Sequence, residues 1–414
     1  MWKMAWRNLW RNRVRTAIMM TAITLSAALG LIALGVTSDQ YTKLEASALQ
    51  TAGGNVLIQG NGYQEEQTHE LLIDEVERVR SAVAALPAVT NTVERVLITG
   101  LVSSPRGSGG VQLRGVAPEA EALIYDFRPW VTEGAMPALG EDGLIALGSG
   151  VVEALEIELG DRVVLTTTDR DGEMVRALFH LSGVVHTGLR MLDEGIAFTT
   201  VRGAQEAVGF SNELTQIGLV LRSDAERQAV RDALRSALAT TGDVPALEVL
   251  AWDDAMPEML AYIELDRVSG YFYFLVIFLV VAFGIANTFL MAVLERIREL
   301  GLLSALGMSG WRVAGLVMAE TLLMTVMSIG LAYAIAFGVH VFINASQVDL
   351  AALYGEGMDF AGVALTDTTL GSTIPPLRWA VAGALFASIS LLSAVYPAVR
   401  SARLNPVDAM RTFQ

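Results

Sequence analysis

Four stretches of the chain lack the polar punctuation of a soluble fold. Ala17–Val36, Val268–Leu294 and Trp379–Val399 carry no charge, and Val313–Phe342 is interrupted only by Glu320 and His340. Each is long enough to cross a bilayer, which takes roughly 20 apolar residues. Between the first and second stretches the pattern changes to short alternating runs broken by Gly and Pro. Gly53-Gly54 marks a turn before a strand at Asn55–Gln59. Glu70–Leu86 has helical spacing through Leu71, Leu72, Val76, Val79 and Val83 and ends at Pro87. Strands are predicted at 93–102, 111–116, 144–147, 162–167, 178–185, 196–200 and 216–221. Helices are predicted up to Leu155 and over Ala225–Leu238. Helical character over Met256–Arg267 continues into the second apolar stretch, with no Gly or Pro between Pro257 and Gly270.

This patterning predicts an α-helical membrane protein with four transmembrane helices and a large α+β extracytoplasmic domain between the first two. The expected segments are 1–16 (cytoplasmic amphipathic helix), 17–37 (first span), 38–266 (outer domain, with a β-rich subdomain inserted at about 96–200) and 267–294 (second span). They continue with 295–312 (cytoplasmic loop), 313–343 (third span), 344–376 (outer loop), 377–399 (fourth span) and 400–414 (cytoplasmic tail). The first span is expected to stay as an anchor. It is long for a signal-peptide core, and no A-x-A site follows at Thr37-Ser38-Asp39.

Charge sets the orientation. The N-terminal tail, the loop after the second span and the C-terminal tail together hold eleven basic residues against three acidic ones, and the remainder holds 18 against 41. The positive-inside rule then places both termini in the cytoplasm, and a bacterial inner membrane is the expected location. The sequence pI of about 4.8 therefore describes the outer domain and gives no reason to expect nucleic acid. At the N-terminus, Trp2, Trp6 and Trp10 recur at helical spacing, as do Lys3, Arg7 and Arg11. Tryptophan and basic side chains share a preference for the inner headgroup level, so this helix is expected to lie in the interface and contact lipid.

Candidate chemistry is sparse. The two lysines, Lys3 and Lys43, lie outside any G-x-x-x-x-G-K-[ST] segment, so a P-loop is excluded. The absence of cysteine excludes disulfides and thiolate metal sites. The histidines, His69, His180, His186 and His340, lack metal-ligand spacing. Gly148-Ser149-Gly150 lacks the spacing of a nucleophile elbow and reads as a turn. No catalytic, metal or cofactor site is expected in this chain. Glu320 is the sharpest single residue: it lies about 10 Å into the third span at ~1.5 Å per residue, where an ionisable group faces protein or water. Asn287 sits at similar depth in the second span and is the expected hydrogen-bond partner. Glu295–Gly307 is predicted as a short cytoplasmic helix with an i,i+3 pair, Glu295–Arg298, and Gly307 as its stop. A small final helix is predicted at Pro406–Thr412, capped by Asn405.

Four segments resemble the FtsX-like permease superfamily of ABC transporters, the group containing MacB, LolC and LolE. They are Ala5–Arg13, Leu294–Gly307, Ala319-Glu320 and Ala402–Arg411, and their order around four apolar stretches matches as well. The resemblance implies the permease subunit of a type VII ABC system with a MacB-like periplasmic core. It implies a cytoplasmic P-loop ATPase as partner, which would bind ATP and Mg, and a second permease copy or a paralogue. A periplasmic carrier or a membrane-fusion protein would complete the set. Glu295–Gly307 would be the coupling helix, with Glu295, Arg296, Arg298, Glu299, Leu302, Leu303 and Leu306 docking the ATPase. Lipoprotein or lipid release is the first expected function. MacB-like efflux of drugs, peptides or toxins and FtsX-like signalling to cell-wall hydrolases are the alternatives.

Overall fold

A computed structural model describes residues 2–11, 13–66, 68, 71–238, 247–296, 299, 302–303, 305–349, 359–360, 363–364 and 368–403. His69, Arg298 and the predicted helix at 406–412 lie outside the described residues. Among the described residues, the helices longer than four residues are α1 (Trp2–Arg11), α2 (Arg13–Ala52), α3 (Val76–Ala84), α4 (Ser149–Leu155), α5 (Val201–Val208), α6 (Arg227–Leu238), α7 (Pro257–Glu295), α8 (Gly310–Ser346) and α9 (Pro376–Ala402). The main sheet comprises β1 (Val56–Gly60), β2 (Val89–Ser103), β3 (Ser108–Gly115), β4 (Val131–Gly134), β5 (Leu144–Gly148), β6 (Arg162–Thr168), β7 (Met174–Val185), β8 (Ile196–Thr199), β9 (Gln216–Leu221) and β10 (Leu247–Ala251). The chain divides into two compact units. One holds 1–42, 263–349 and 369–414; the other holds 43–262 and 350–368.

The first unit is helical. Among the described residues, three helices are long and apolar enough to cross a membrane: Thr16–Ala52, Gly310–Ser346 and Pro376–Ala402. They pack against one another in layers. Met19 and Ile23 meet Met324 and Ala394, Ala27 and Ala28 meet Ala332 and Phe386, and Leu31 meets Ala336, Trp379 and Ala382. Half of these inward residues are alanine, which lets helices without a hydrophobic driving force between them approach closely. Gly30 illustrates this: a Cβ there would lie 2.5 Å from the Phe386 ring. The opposite face, including Ile18, Leu25 and Leu29, is exposed, as a lipid-facing stripe would be. Two polar side chains bond across the bundle, Thr325 to Ser390 at 2.7 Å and Tyr333 to the Trp379 carbonyl at 2.6 Å. α7 joins through Val293, which packs on Val313, Val317 and Ala398.

The second unit is built on a ten-stranded mixed sheet. One part is the antiparallel run β10-β1-β9 plus the first half of β2. Val56 and Ile58 of β1 face α3 and α6 through Val76, Val79, Val230 and Leu234, while Leu57 packs on Leu250 and Ala255. Both faces are therefore covered, and β1 is buried throughout. The second half of β2 leaves this run. It pairs with β3 on one side and β6 on the other, and β3-β8-β5-β7-β6 completes a closed ring. The inward positions alternate as a small barrel requires: Ile98 and Val102, Leu113, Ile145 and Leu147, Val163 and Leu165, Phe179 and Leu181. Closure removes the exposed edges an open sheet would present.

A buried ion pair sits beside the point where β2 changes partners. Arg95 meets Glu121 through two hydrogen bonds of 2.8 and 2.6 Å. Its remaining donors reach the Gly53 carbonyl and the Gln216 side chain. Gly53 has φ +106°, and a Cβ there would strike the Arg95 guanidinium. The Gly-Gly turn thus gives the arginine access to backbone.

Local readings of the sequence differ from the fold at a few elements. The helix expected from Glu70 starts at Val76, because Ile73 is held in a β-bridge with Leu214. The strands β4 and β10 and helix α5 are additional elements. Gly307 does adopt the left-handed conformation expected of a helix stop, with φ +94°.

Candidate functional site

Three of the side chains singled out near the basic end of the helical unit, Arg296, Glu299 and Arg11, form a chain that ends on Glu320. This carboxylate is buried, 6% exposed, on the first third of α8. It accepts from Asn8 Nδ2 at 2.7 Å and from Arg296 Nη1 at 2.7 Å. Arg296 also donates to Glu299 at 3.1 Å, and Glu299 receives a second ion pair from Arg11. One chain of charge therefore links α1, the end of α7, the segment beyond it and α8. A carboxylate at this depth is satisfied by a guanidinium and an amide donor, as a desolvated charge must be. Burial alone would raise the Glu299 carboxyl. The hydrogen bonds from Arg296 and Arg11 outweigh it and hold the group below the usual carboxylate range.

The expected partner of Glu320 was Asn287, and this is corrected: Asn287 is exposed on α7, and the donors are Asn8 and Arg296. Both arrive from the ends of other elements, where a helix terminus lets a side chain turn inward.

The described residues of 295–306 divide into an inward and an outward set. Leu303 packs inward beside Ala5, Leu316 and Ala319, and the Arg296 side chain is only 13% exposed. Glu295, Glu299, Leu302 and Leu306 stand outward, with Leu306 77% exposed. Arg296 is thus a strut within the protein, whereas Leu302 and Leu306 are available to a partner and Glu299 is exposed while paired with Arg296 and Arg11. Trp311, just beyond, is likewise 78% exposed. On α1, Ala5 and Leu9 are buried, while Trp2, Trp6, Trp10, Arg7 and Arg11 face outward.

The other end of the bundle holds a cavity of about 350 Å³ between α2, α7 and α9. Its walls are apolar: Leu34, Phe274, Leu377, Val381 and Leu385. Its rim carries Ser38, Tyr41, Arg267 and Arg378. Tyr41 donates to Asp266 at 2.7 Å, and the Arg267 guanidinium lies 5.6 Å from the Tyr41 ring centre. Apolar walls under a cationic rim suit an amphiphile with an anionic head.

The β-rich unit holds a separate cavity of about 780 Å³, lined by Val116, Val131, Met136, Leu139 and Val201 among others. Its two arginines are already engaged, Arg128 with Asp126 and Arg202 with Glu206. His186 has Ser149 Oγ at 2.9 Å and Asp193 Oδ2 at 3.0 Å, both at Nδ1. A serine nucleophile needs the ring nitrogen opposite the one held by the carboxylate, so this cluster orients a turn.

Residues 271–406 match the family described as FtsX-like permease C-terminal. The chain is 24% identical over 350 residues to the lipoprotein-releasing system transmembrane protein LolC of Neisseria meningitidis, covering 81% of this chain and 79% of the relative. It is 24% identical over 225 residues to the lipoprotein-releasing system transmembrane protein LolE of Haemophilus influenzae, covering 53% of each. Among solved structures, the periplasmic region of MacB from Actinobacillus actinomycetemcomitans matches with a TM-score of 0.35 and 13% identity, covering 50% of this chain and 92% of that one. The extracellular domain of the transporter YknZ from Gram-positive bacteria matches at 0.33 and 13%, covering 47% and 98%.

Proposed function

We propose that this chain, which carries an FtsX-like permease domain and is homologous to LolC and LolE, is the permease subunit of an ABC transporter that releases lipoproteins or lipids from the outer leaflet of a bacterial inner membrane. Four helices, α2, α7, α8 and α9, cross the bilayer, with the Arg11–Glu299 end in the cytoplasm and the β-rich unit outside. A separate P-loop ATPase docks on the outward face of 295–306 through Leu302, Leu306 and Glu299. A second copy or a paralogue completes the membrane assembly.

The observation that carries this reading is the charge chain from Arg11 through Glu299 and Arg296 to Glu320. It fastens the docking segment to α8 and α1, so a displacement of that segment is passed to membrane helices rather than lost in a loose loop. α2 runs on to Ala52 and α7 begins at Pro257, so both continue as unbroken helices past their apolar runs. The 350 Å³ cavity supports an amphiphilic substrate, with a chain against Phe274, Val381 and Leu385 and a head beside Arg267 and Arg378.

The test is co-purification of the full chain in mild detergent followed by ATPase assay. A P-loop ATPase should accompany it, and lipoprotein release from spheroplasts should depend on that ATPase. Glu299→Arg should leave basal hydrolysis but abolish release. A preparation that carries no ATPase sinks the proposal; an associated membrane-fusion protein or wall hydrolase would move it to efflux or signalling.

A further inference from the structure

We infer that the outward face of α1 is a binding surface for anionic phospholipid headgroups, and that lipid held there sets the Arg11–Glu299 contact at the docking segment. The inference rests on the reading that the helical unit sits in a bilayer.

The two faces of α1 differ sharply. Ala5 and Leu9 are 0% and 5% exposed, against 57%, 47% and 53% for Trp2, Trp6 and Trp10. Three half-exposed indoles on ten residues form an apolar patch that water does not favour. Lys3 and Arg7 lie between them, exposed, and the helix contains no acid. Among the described residues no carboxylate pairs with either cation. Indoles at headgroup depth beside unneutralised cations match an anionic leaflet, whose attraction for basic residues falls off within a Debye length. A neutral headgroup would satisfy the tryptophans and leave the cations unmatched.

The same helix also feeds the charge network, through the half-buried Asn8 and through Arg11, which is exposed at the helix end. Asn8 donates to Glu320, Arg11 pairs with Glu299, and Thr16 of α2 donates back to the Leu9 carbonyl of α1. A ten-residue helix is about 15 Å long, too short to be stable without tertiary partners. Lipid held on the tryptophan face therefore sets the depth and rotation of the helix, and with them the reach of Asn8 and Arg11.

The chain lacks cysteine, which makes the test direct. The full-length protein is reconstituted in nanodiscs of phosphatidylcholine with or without phosphatidylglycerol, using brominated versions of each lipid to quench tryptophan. Brominated phosphatidylglycerol should quench more than brominated phosphatidylcholine. Lys3→Gln and Arg7→Gln should each lower that preference about fivefold. Disulfide formation between R11C and E299C should be faster in the discs that contain phosphatidylglycerol. Equal quenching by the two lipids overturns headgroup selection, with the wild-type chain alone. Equal cross-linking rates overturn the link to the docking segment. A chain that does not enter discs at all refutes the membrane reading instead.

Discussion

The Arg296 guanidinium lies 2.7 Å from the Glu320 carboxylate, with 13% and 8% of the two side chains exposed. Neither charge has enough water to stand alone. Removing one partner leaves the other desolvated, which costs about 3–5 kcal/mol for a buried pair, whereas replacing both with apolar groups is close to neutral. Glu320→Leu should therefore lower the thermal midpoint in detergent markedly, and the double variant R296M/E320L should recover most of the loss. Differential scanning fluorimetry on the three proteins decides this. A single variant as stable as wild type would show that the pair carries no weight.

Glu299 gives a pH signature. Its carboxyl is held below the usual range by Arg296 and Arg11 against the opposing effect of burial. A carboxyl depressed in the folded state contributes stability above its unfolded pKa, near ~4.3, and loses it as pH falls through the folded value. The difference in thermal midpoint between wild type and Glu299→Gln should be constant from about pH 5 to 8 and vanish in more acid solution. Growth of the difference on acidification would contradict the assignment. The side chain is 47% exposed, so solvent screening keeps the effect small.

In the β-rich unit, Arg95 and Glu121 are 5% and 4% exposed and paired at 2.6 Å. Glu121→Ala strands a guanidinium that also serves the Gly53 carbonyl and Gln216. A loss of about 3–5 kcal/mol is expected, seen as earlier proteolytic cleavage within 43–262 while the helical unit stays intact. Unchanged protease resistance would refute it.

How much of this was legible beforehand depends on the range of the interaction. The membrane helices announce themselves locally, through uncharged runs such as Ala17–Val36. Helix α5 was missed although both of its ends are marked, by Thr200 accepting from Gly203 N and by Gly209 in the left-handed region. Its apolar face is made of Ala204, Ala207 and Val208, too small and short to stand out as periodicity. Barrel closure depends on Leu101–Ser103 meeting Val164–Thr166, a pairing that no local pattern encodes. For Glu320, depth in the apolar run implied a bonded carboxylate, but Asn8 lies 312 residues away. The amide at matching depth, Asn287, was the reasonable partner only while helix ends were left out of account.

The packing of α8 on α9 yields the last expectation. A Cβ at Gly383 would lie 2.2 Å from the Tyr333 hydroxyl, which is itself fixed by its 2.6 Å hydrogen bond to the Trp379 carbonyl. The ring cannot withdraw without giving up that bond, so Gly383→Ala must separate the helices or strand the hydroxyl. Overpacking of this kind costs about 1–3 kcal/mol, and the stabilisation of ~1 kcal/mol that alanine brings to a helix interior offsets only part of it. Gly338, also on α8, has no atom within 4 Å of its Cβ position, so Gly338→Ala gains the helix propensity without a clash. The two substitutions should move the thermal midpoint in opposite directions, Gly383→Ala downward and Gly338→Ala upward or not at all. Equal behaviour would mean that α8 and α9 do not meet at this contact.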